Sequence, residues 1–297
     1  MINKNIKGII LAGGSGSRLF PLTLGISKQL IPVYDKPMIY YPLSVLMSLN
    51  IRNILFISTP HDIDDYKKLF GDGSTLGLNI SYEVQNQPRG IAEALTIGNK
   101  FIGKDNICLM LGDNIFYGTN LIEKLIMGSS NLNKGFSTIF GAYVKNPKQF
   151  GVLDFDSDNN IISIAEKPEK PKNNMVVTGI YFYTNNALEK VNNLTYSKRN
   201  ELEITDLNNL YLKENKLKLV KLGHDIKWLD TGTFNSLIQA SHFFNQIEKT
   251  YGKKVACIEE IAYKMNFIDR DQFINISNSM SNSSYGKYLI NILNNDN

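Results

Sequence analysis

The sequence predicts an α/β fold, with a mixed, mostly parallel central sheet flanked by helices, a β-rich second part and a small helical appendage at the C-terminus. Three observations carry this prediction. Short apolar runs recur at 9–12 (IILA), 54–59 (ILFIST) and 106–111 (NICLML), with an alternating run at 79–85 (NISYEVQ), and stretches of helical spacing separate them. Strand–helix alternation of this kind builds parallel sheets. From about residue 145 the pattern changes to short β-rich runs divided by turn residues, at 151–155 (GVLDF), 161–166 (IISIAE) and 176–183 (VVTGIYFY), which read as hairpins and mixed pairing. From 234 onward the apolar spacing becomes helical.

Each element has a local reason. The run at 9–12 is too short for a helix and is ended by glycines, so it reads as a buried strand. Residues 37–50 (PMIYYPLSVLMSLN) have helical apolar spacing and a proline near the start. Residues 61–70 (HDIDDYKKLF) open acidic and close basic, as a helix dipole favours, and His61 reads as a solvated helix-start residue. A helix is predicted over 91–101, a strand over 136–144, short helices over 186–191 and 204–214, and a strand over 217–222. The longest predicted helix covers 234–251, with Leu237, Ile238, Ser241, Phe244 and Ile247 on one buried stripe. Two more short helices and a polar Asn/Ser-rich end follow. With no internal repeat and no linker, the expected organisation is a main domain over 1–234, in halves of about 1–145 and 146–234, and a helical appendage over 235–297.

Composition narrows the function. The chain has 297 residues, 43% of them apolar, which is enough for a sizeable core. No apolar run is long enough to span a membrane, and the N-terminal run is too short for a signal peptide, so a cytoplasmic location is expected. The net charge of +4 comes without a dense Lys/Arg run, so no nucleic-acid partner is expected. Cys108 and Cys257 lie far apart; Cys108 sits inside ICLML as a small hydrophobe, and neither a disulfide framework nor a cysteine metal site follows.

The first apolar run is followed by Gly13, Gly14, Ser15, Gly16, Ser17 and Arg18, with Lys28 ten residues on. Three glycines in four positions permit unusual backbone shapes and leave the main chain bare, and successive N–H groups in such a turn form an anion site. Arg18 offers a fork of donors suited to phosphate oxygens. A tight structural turn accounts for the glycines equally well. The dinucleotide fingerprint fails because Leu19 stands where its third glycine belongs, and no Gly-Lys-Ser/Thr completes a Walker loop. At 98–104 GNKFIGK mimics that loop, but Asp105 follows it and it precedes a strand. Asp113 ends an apolar strand, and Asp230 lies among small residues in WLDTGT; each is either a structural acid or one of a pair of carboxylates that hold Mg²⁺ with substrate phosphates. Glu166-Lys167-Pro168, taken by itself, reads as an exposed turn. A glutamine amide, as at Gln85 or Gln29, can donate and accept toward a pyrimidine edge, or simply face solvent.

LAGGSGSRLFPLT, with SKQLIPVYDKPMIYYP after it, closely resembles the signature of sugar-1-phosphate nucleotidylyltransferases, L-A-G-G-x-G-[ST]-R-L-x-P-x-T, with Ser17 as its hydroxyl residue. The segments QNQPRGIA, GDN, EKP, ELEITD and WLDTGT are similar to further segments of that family, and the resemblance runs from about residue 7 to 288. It implies a Rossmann-like sheet and a Mg²⁺-dependent transfer of dTMP from dTTP to glucose 1-phosphate, giving dTDP-glucose and pyrophosphate for dTDP-rhamnose and related deoxysugars. It implies Arg18, Lys28 and Lys167 as catalytic cations. It further implies Gly13, Gly14, Ser15, Gly16, Gln29, Gln85, Gly90 and Asp113 at the nucleotide, with Gln85 and Gly90 reading the base. Asn114, Gly151, Glu166, Lys167 and Val177 would meet the sugar, and Asp113 and Asp230 the metal. A homotetramer with a second nucleotide-sugar site is typical of the family. Departures are local: Arg199-Asn200 stands before ELEITD in place of Arg-Gly, and 223–227 reads GHDIK before WLDTGT. A uridylyltransferase, a non-catalytic sugar-nucleotide sensor and a dinucleotide oxidoreductase are the alternatives, the last disfavoured by the broken fingerprint.

Overall fold

The computed structural model describes residues 5–14 and 16–295. The chain starts with β1 (Ile6–Ala12) and, after the glycine turn, a small hairpin of β2 (Pro32–Val33) and β3 (Lys36–Pro37). Then come α1 (Tyr40–Ser48), β4 (Asn53–Ser58), α2 (Ile63–Phe70), β5 (Asn79–Val84), α3 (Glu93–Ile97), α4 (Asn99–Ile102) and β6 (Asn106–Leu111). β7 (Asn114–Tyr117), α5 (Leu121–Ser130), β8 (Ser137–Tyr143), β9 (Gly151–Phe155), β10 (Ile161–Glu166) and β11 (Met175–Tyr183) follow. The chain closes with α6 (Ala187–Asn192), α7 (Ile204–Lys213), β12 (Leu217–Lys221), β13 (Lys227–Asp230), α8 (Phe234–Tyr251), α9 (Ile258–Lys264), α10 (Arg270–Ser279) and α11 (Ser284–Asn295).

The expected sheet is present. β1 lies between β4 and β6, both parallel to it, and β5 adds in parallel to β4. β11 is antiparallel to β6, β8 and β9, β10 is antiparallel to β9, and β12 is parallel to β8. Only β10 and β11 therefore run against the rest. β1 is apolar almost throughout because both of its faces are covered: Ile6, Ile10 and Ala12 enter one core and Ile9 and Leu11 the other. Cys108 and Met110 of β6 join the first core, and Ile107 and Leu109 the second.

One irregularity positions the site. β8 pairs along one edge of β11. The other edge is shared, by β6 at 180–183 and by β9 at Val176. Between these two pairings the sheet parts, and Val177, Thr178 and Gly179 floor the opening.

Several expectations are corrected. The helix predicted over 91–101 is divided into α3 and α4 at Gly98, where a Cβ would sit 3.1 Å from the Ala94 carbonyl and 3.1–3.2 Å from Leu55 and Ile9. Helix α8 has its predicted bounds, but Ile238 is 68% exposed; the buried stripe is Leu237, Ala240 and Phe244, and Ile238 lies one residue round, on the solvent side. Three helices follow α8, not two. Ile258, Ala262, Phe273 and Leu289 from these helices enter the same core as Leu43 and Leu46 of α1, so the appendage is bound to the main body by apolar packing. β7, α5 and β13 have no counterpart in the sequence prediction. The apolar spacing of LIEKLIM at the start of α5 is legible, whereas β7 and β13 are each four residues long and exist by pairing with each other.

Candidate active site

The carboxyl ends of β1 and β6 open on a cleft of about 620 Å³, bordered by Gly13, Gly14, Gly16, Lys28, Gln29 and Asp113 among others. Ligands of open α/β sheets bind at such strand ends. Gly14 (φ 99°) and Gly16 (φ 58°) have left-handed backbone that a side chain would resist. Thr23 Oγ1 donates to the Gly16 carbonyl at 2.9 Å and holds the turn. Ser15, the fourth residue expected there, lies outside the described residues. Gln29 is buried, donates through Nε2 to the Gly13 carbonyl at 3.3 Å and accepts at Oε1 from Ser27 Oγ at 2.9 Å, so it braces the glycine segment from below.

Beside this cleft lies a smaller compartment of about 220 Å³ over the parted sheet. Arg18, Asp113, Gln149, Lys167, Glu201 and Asp230 border both. Asn114, Gly151, Glu166 and Val177, predicted at the sugar, line the smaller one together with Arg199, Glu203, Thr205, Tyr181 and Trp228.

Pairing between β7 and β13 brings the two aspartates together. Asp230 lies opposite Asn114, next to Asp113 in the chain. Thr231 Oγ1 donates to the Asp113 carbonyl at 2.9 Å and ties the strands at that point. Gly232 leaves room for Arg18, whose guanidinium would be 3.0 Å from a Cβ there, and Thr233 caps α8. Each residue of DTGT thus has a distinct structural task.

Charge is arranged around the aspartates. Lys28 is nearly buried, and its Nζ lies 2.5 Å from Asp113 Oδ2. Asn114 Nδ2 donates to Asp113 Oδ1 at 2.8 Å. Burial would raise the Asp113 carboxyl, but Lys28 and Asn114 hold it below the ordinary value. Asp230 goes the other way: burial, then the charge of Asp113, push it up against the opposing effect of Lys28 and Arg18. Two carboxylates forced together in this way suit a hard cation. Mg²⁺ needs few protein oxygens and takes the rest from phosphates and water. The donor set, two carboxylates bordering both the cleft and the compartment, fits that pattern.

The smaller compartment is ordered by carboxylates. Glu166 accepts from Thr205 Oγ1 at 2.5 Å and from Arg199 Nη2 at 3.3 Å, while Arg199 also meets Glu201 (3.2 Å) and Glu203 (2.7 Å). Lys167 has φ 43°, a conformation disfavoured for a non-glycine residue and unusual before proline. Its N–H donates to the Phe150 carbonyl at 3.0 Å. Local strain of this kind is held at sites by the surrounding structure. Asn114 Oδ1 accepts from Trp228 Nε1 (2.6 Å) and Gly179 N–H (3.1 Å), so its oxygen is already engaged.

Gln85 and Gly90 border neither compartment; Gln85 Oε1 would be 3.1 Å from a Cβ on Gly13. Gly90 (φ 100°) packs against Leu202, whose backbone would be 2.3 Å from a Cβ there. Leu202 N–H donates to the Arg89 carbonyl and its carbonyl accepts from Ala92 N–H, so ELEITD is stitched to QNQPRGIA. Gln149, Arg199 and Trp228 carry no assignment in the sequence prediction. The signal for Arg199 was its place beside ELEITD; nothing in the local sequence marked Gln149. His61 is exposed beside Asp62, away from the site, as expected, and Cys108 and Cys257 are buried free thiols.

A model of the nucleotidyl transferase family matches residues 7–247. The chain belongs to this family. The glucose-1-phosphate thymidylyltransferase of Neisseria meningitidis is 48% identical to this nucleotidyl transferase over 97% of this chain and 99% of its own. That of Xanthomonas campestris is 50% identical over 95% of each chain. A Bacillus anthracis crystal structure, assigned the same activity, superposes with a TM-score of 0.74 at 37% identity, covering 80% of this chain and 94% of that one. A UDP-glucose pyrophosphorylase bound to UDP-glucose shares the fold, with a TM-score of 0.72 at 23% identity over 83% of this chain and all of that one.

Proposed function

We propose that the nucleotidyl transferase transfers dTMP from dTTP to glucose 1-phosphate, releasing pyrophosphate and forming dTDP-glucose. The observation that carries this reading is the meeting of a cation-bordered glycine cleft and a carboxylate-lined compartment at Asp113 and Asp230, in a chain about half identical to glucose-1-phosphate thymidylyltransferases over nearly its whole length.

An oxygen of the sugar phosphate attacks the α-phosphorus; a new P–O bond forms as the bond to the bridging oxygen of the β-phosphate breaks, and pyrophosphate leaves with that electron pair. All reacting groups are anionic, so positioning and charge neutralisation do the work. Lys167 holds the attacking phosphate. Arg18, Lys28 and the N–H groups of the glycine turn receive the leaving pyrophosphate. Glu166, oriented by Thr205 and Arg199, takes sugar hydroxyls as an acceptor, with Gly151 and Val177 contributing main-chain groups and Asn114 the edge of its amide. Gln85, Gly90 and Gln29 lie on the base side. Asp113 and Asp230 would hold Mg²⁺, which supplies neutralisation of phosphate oxygens when bound.

The same reading takes 1–145 as the nucleotide half, 146–234 as the sugar half and 235–297 as the appendage. It takes the chain as a cytoplasmic homotetramer that feeds dTDP-rhamnose and related deoxysugar synthesis. Exposed Phe234, Ile238 and Tyr251 on α8 offer apolar surface to another copy, and the buried free thiols suit a reducing compartment. The described helices include none long and apolar enough to cross a membrane.

The test is pyrophosphate release with glucose 1-phosphate and Mg²⁺, comparing dTTP with UTP and wild type with Asp113→Asn. Faster release with dTTP, reduced about 10³-fold in the variant, is expected. Equal or better use of UTP would reassign the base, and binding of dTDP-sugar without release would favour a sensor.

A further inference from the structure

Gln85 follows the end of β5 and is 6% exposed. Its Nε2 donates to the Gly90 carbonyl at 3.2 Å and to Glu93 Oε2 at 2.8 Å. A primary amide nitrogen has two hydrogens, and both are engaged. The direction of this amide follows from its partners' chemistry. A backbone carbonyl and a carboxylate only accept, so the NH₂ end must face them; the reversed amide would set three oxygens against one another.

The carbonyl end therefore points away from Glu93. A Cβ built on Gly13 would lie 3.1 Å from Gln85 Oε1, which places this oxygen against the segment that borders the phosphate cleft. Among the described residues no donor is bonded to it, and it is not among the sealed, unpartnered side-chain atoms, which are Asn208 Nδ2 and Asn245 Oδ1. The donor-and-acceptor role expected of Gln85 from the sequence is thus reduced to an acceptor role.

We propose that Glu93 is a positioning residue for base selection: by holding the Gln85 amide nitrogen, it leaves the carbonyl oxygen alone toward the nucleotide and favours a base with a ring N–H. The proposal rests on the reading of the site as a pyrimidine nucleotidylyltransferase. Thymine and uracil present an imide N–H between two carbonyls, which Oε1 accepts. Cytosine presents a bare ring nitrogen at the same place, and two acceptors repel. Glu93 itself borders neither compartment; it sits half-buried at the start of α3 and acts through Gln85.

The test is equilibrium binding of dTTP and dCTP, with Mg²⁺ and without sugar phosphate, to wild type, Glu93→Gln, Glu93→Ala and Glu93→Lys. Wild type and Glu93→Gln, which keeps an acceptor beside the amide, prefer dTTP. Glu93→Ala lets the amide turn, and the preference falls by roughly tenfold or more. Glu93→Lys puts a donor in place of the acceptor, draws Oε1 outward and lowers the preference furthest. On the wild type alone, methylating the ring nitrogen of dTTP costs at least roughly tenfold in affinity, a measurement that needs no variant to fold. Equal preference across the four proteins, or no loss on methylation, overturns the proposal. Absence of pyrophosphate release while these preferences persist counts against the catalytic reading and leaves the role of Glu93 standing.

Discussion

The glycine cleft and the compartment beside it hold their charges in different ways. In the cleft, Lys28 is nearly buried on a single carboxylate, and Arg18 is exposed with one hydrogen bond among the described residues, to Gln149 Oε1 at 3.2 Å. In the compartment, Arg199 is shared among Glu166, Glu201 and Glu203, and Glu166 is held on both oxygens. The first arrangement leaves cations available for phosphate. The second fixes the orientation of a carboxylate and offsets much of its charge. On the proposed reading, the difference matches the two substrates, a triphosphate at the cleft and a sugar at the compartment. A triphosphate is suited by positive charge with few partners, and a polyol by an oriented carboxylate whose rotamer is set before binding.

This contrast can be broken most directly at Lys28. Replacing it as Lys28→Met removes a leaving-group cation and the partner of Asp113. We expect kcat/KM for dTTP to fall about 10²-fold. A steady-state analysis that found the loss confined to the KM for glucose 1-phosphate would erase the distinction between the two compartments. Glu166→Gln sharpens it from the other side: the KM for glucose 1-phosphate should rise about tenfold, the scale of one hydrogen bond to a charged acceptor, with dTTP binding unchanged.

The smallest expected effect is on stability, at the junction of the two. The Asp230 carboxyl is raised by burial and by Asp113. The folded protein therefore binds that proton more tightly than the unfolded chain does, and the contribution of this one group to stability is lost as pH rises from the ordinary aspartate value of 3.8 through the raised one. Asp230→Asn removes this decline. In EDTA at neutral pH its Tm should exceed that of wild type by roughly 2 °C, with no gain at a pH below 3.8. Mg²⁺ with dTTP should then stabilise wild type and not the variant. A difference in Tm between variant and wild type with the opposite pH trend would show that the two carboxylates do not repel in the folded state.

The difference between local and distant pairing explains what could be read beforehand. β1, β4 and β6 were legible because each is a short apolar run buried by its neighbours, β5 because its side chains alternate, and α8 because its period lies within one stretch. The expected stripe erred at Ile238, since periodicity gives a face and only packing gives its centre. The spacing over 91–101 predicts one helix, whereas the break between α3 and α4 comes from Gly98 lying close to Ile9 and Leu55, which are distant in the chain.

Residue types and motif spacing by themselves determined the sheet, the bare glycine turn with cations near it in sequence, and the candidate carboxylates. Tertiary structure decided that Asp113 and Asp230 share a site, because four-residue β7 and β13 are held by each other and by Thr231 over a separation of more than a hundred positions. It also decided that Arg199 serves Glu166 and that Glu93 orients Gln85. A side chain's donors and acceptors are written in its chemistry, but which of them remain open to a ligand depends on the partners that folding brings within hydrogen-bonding reach.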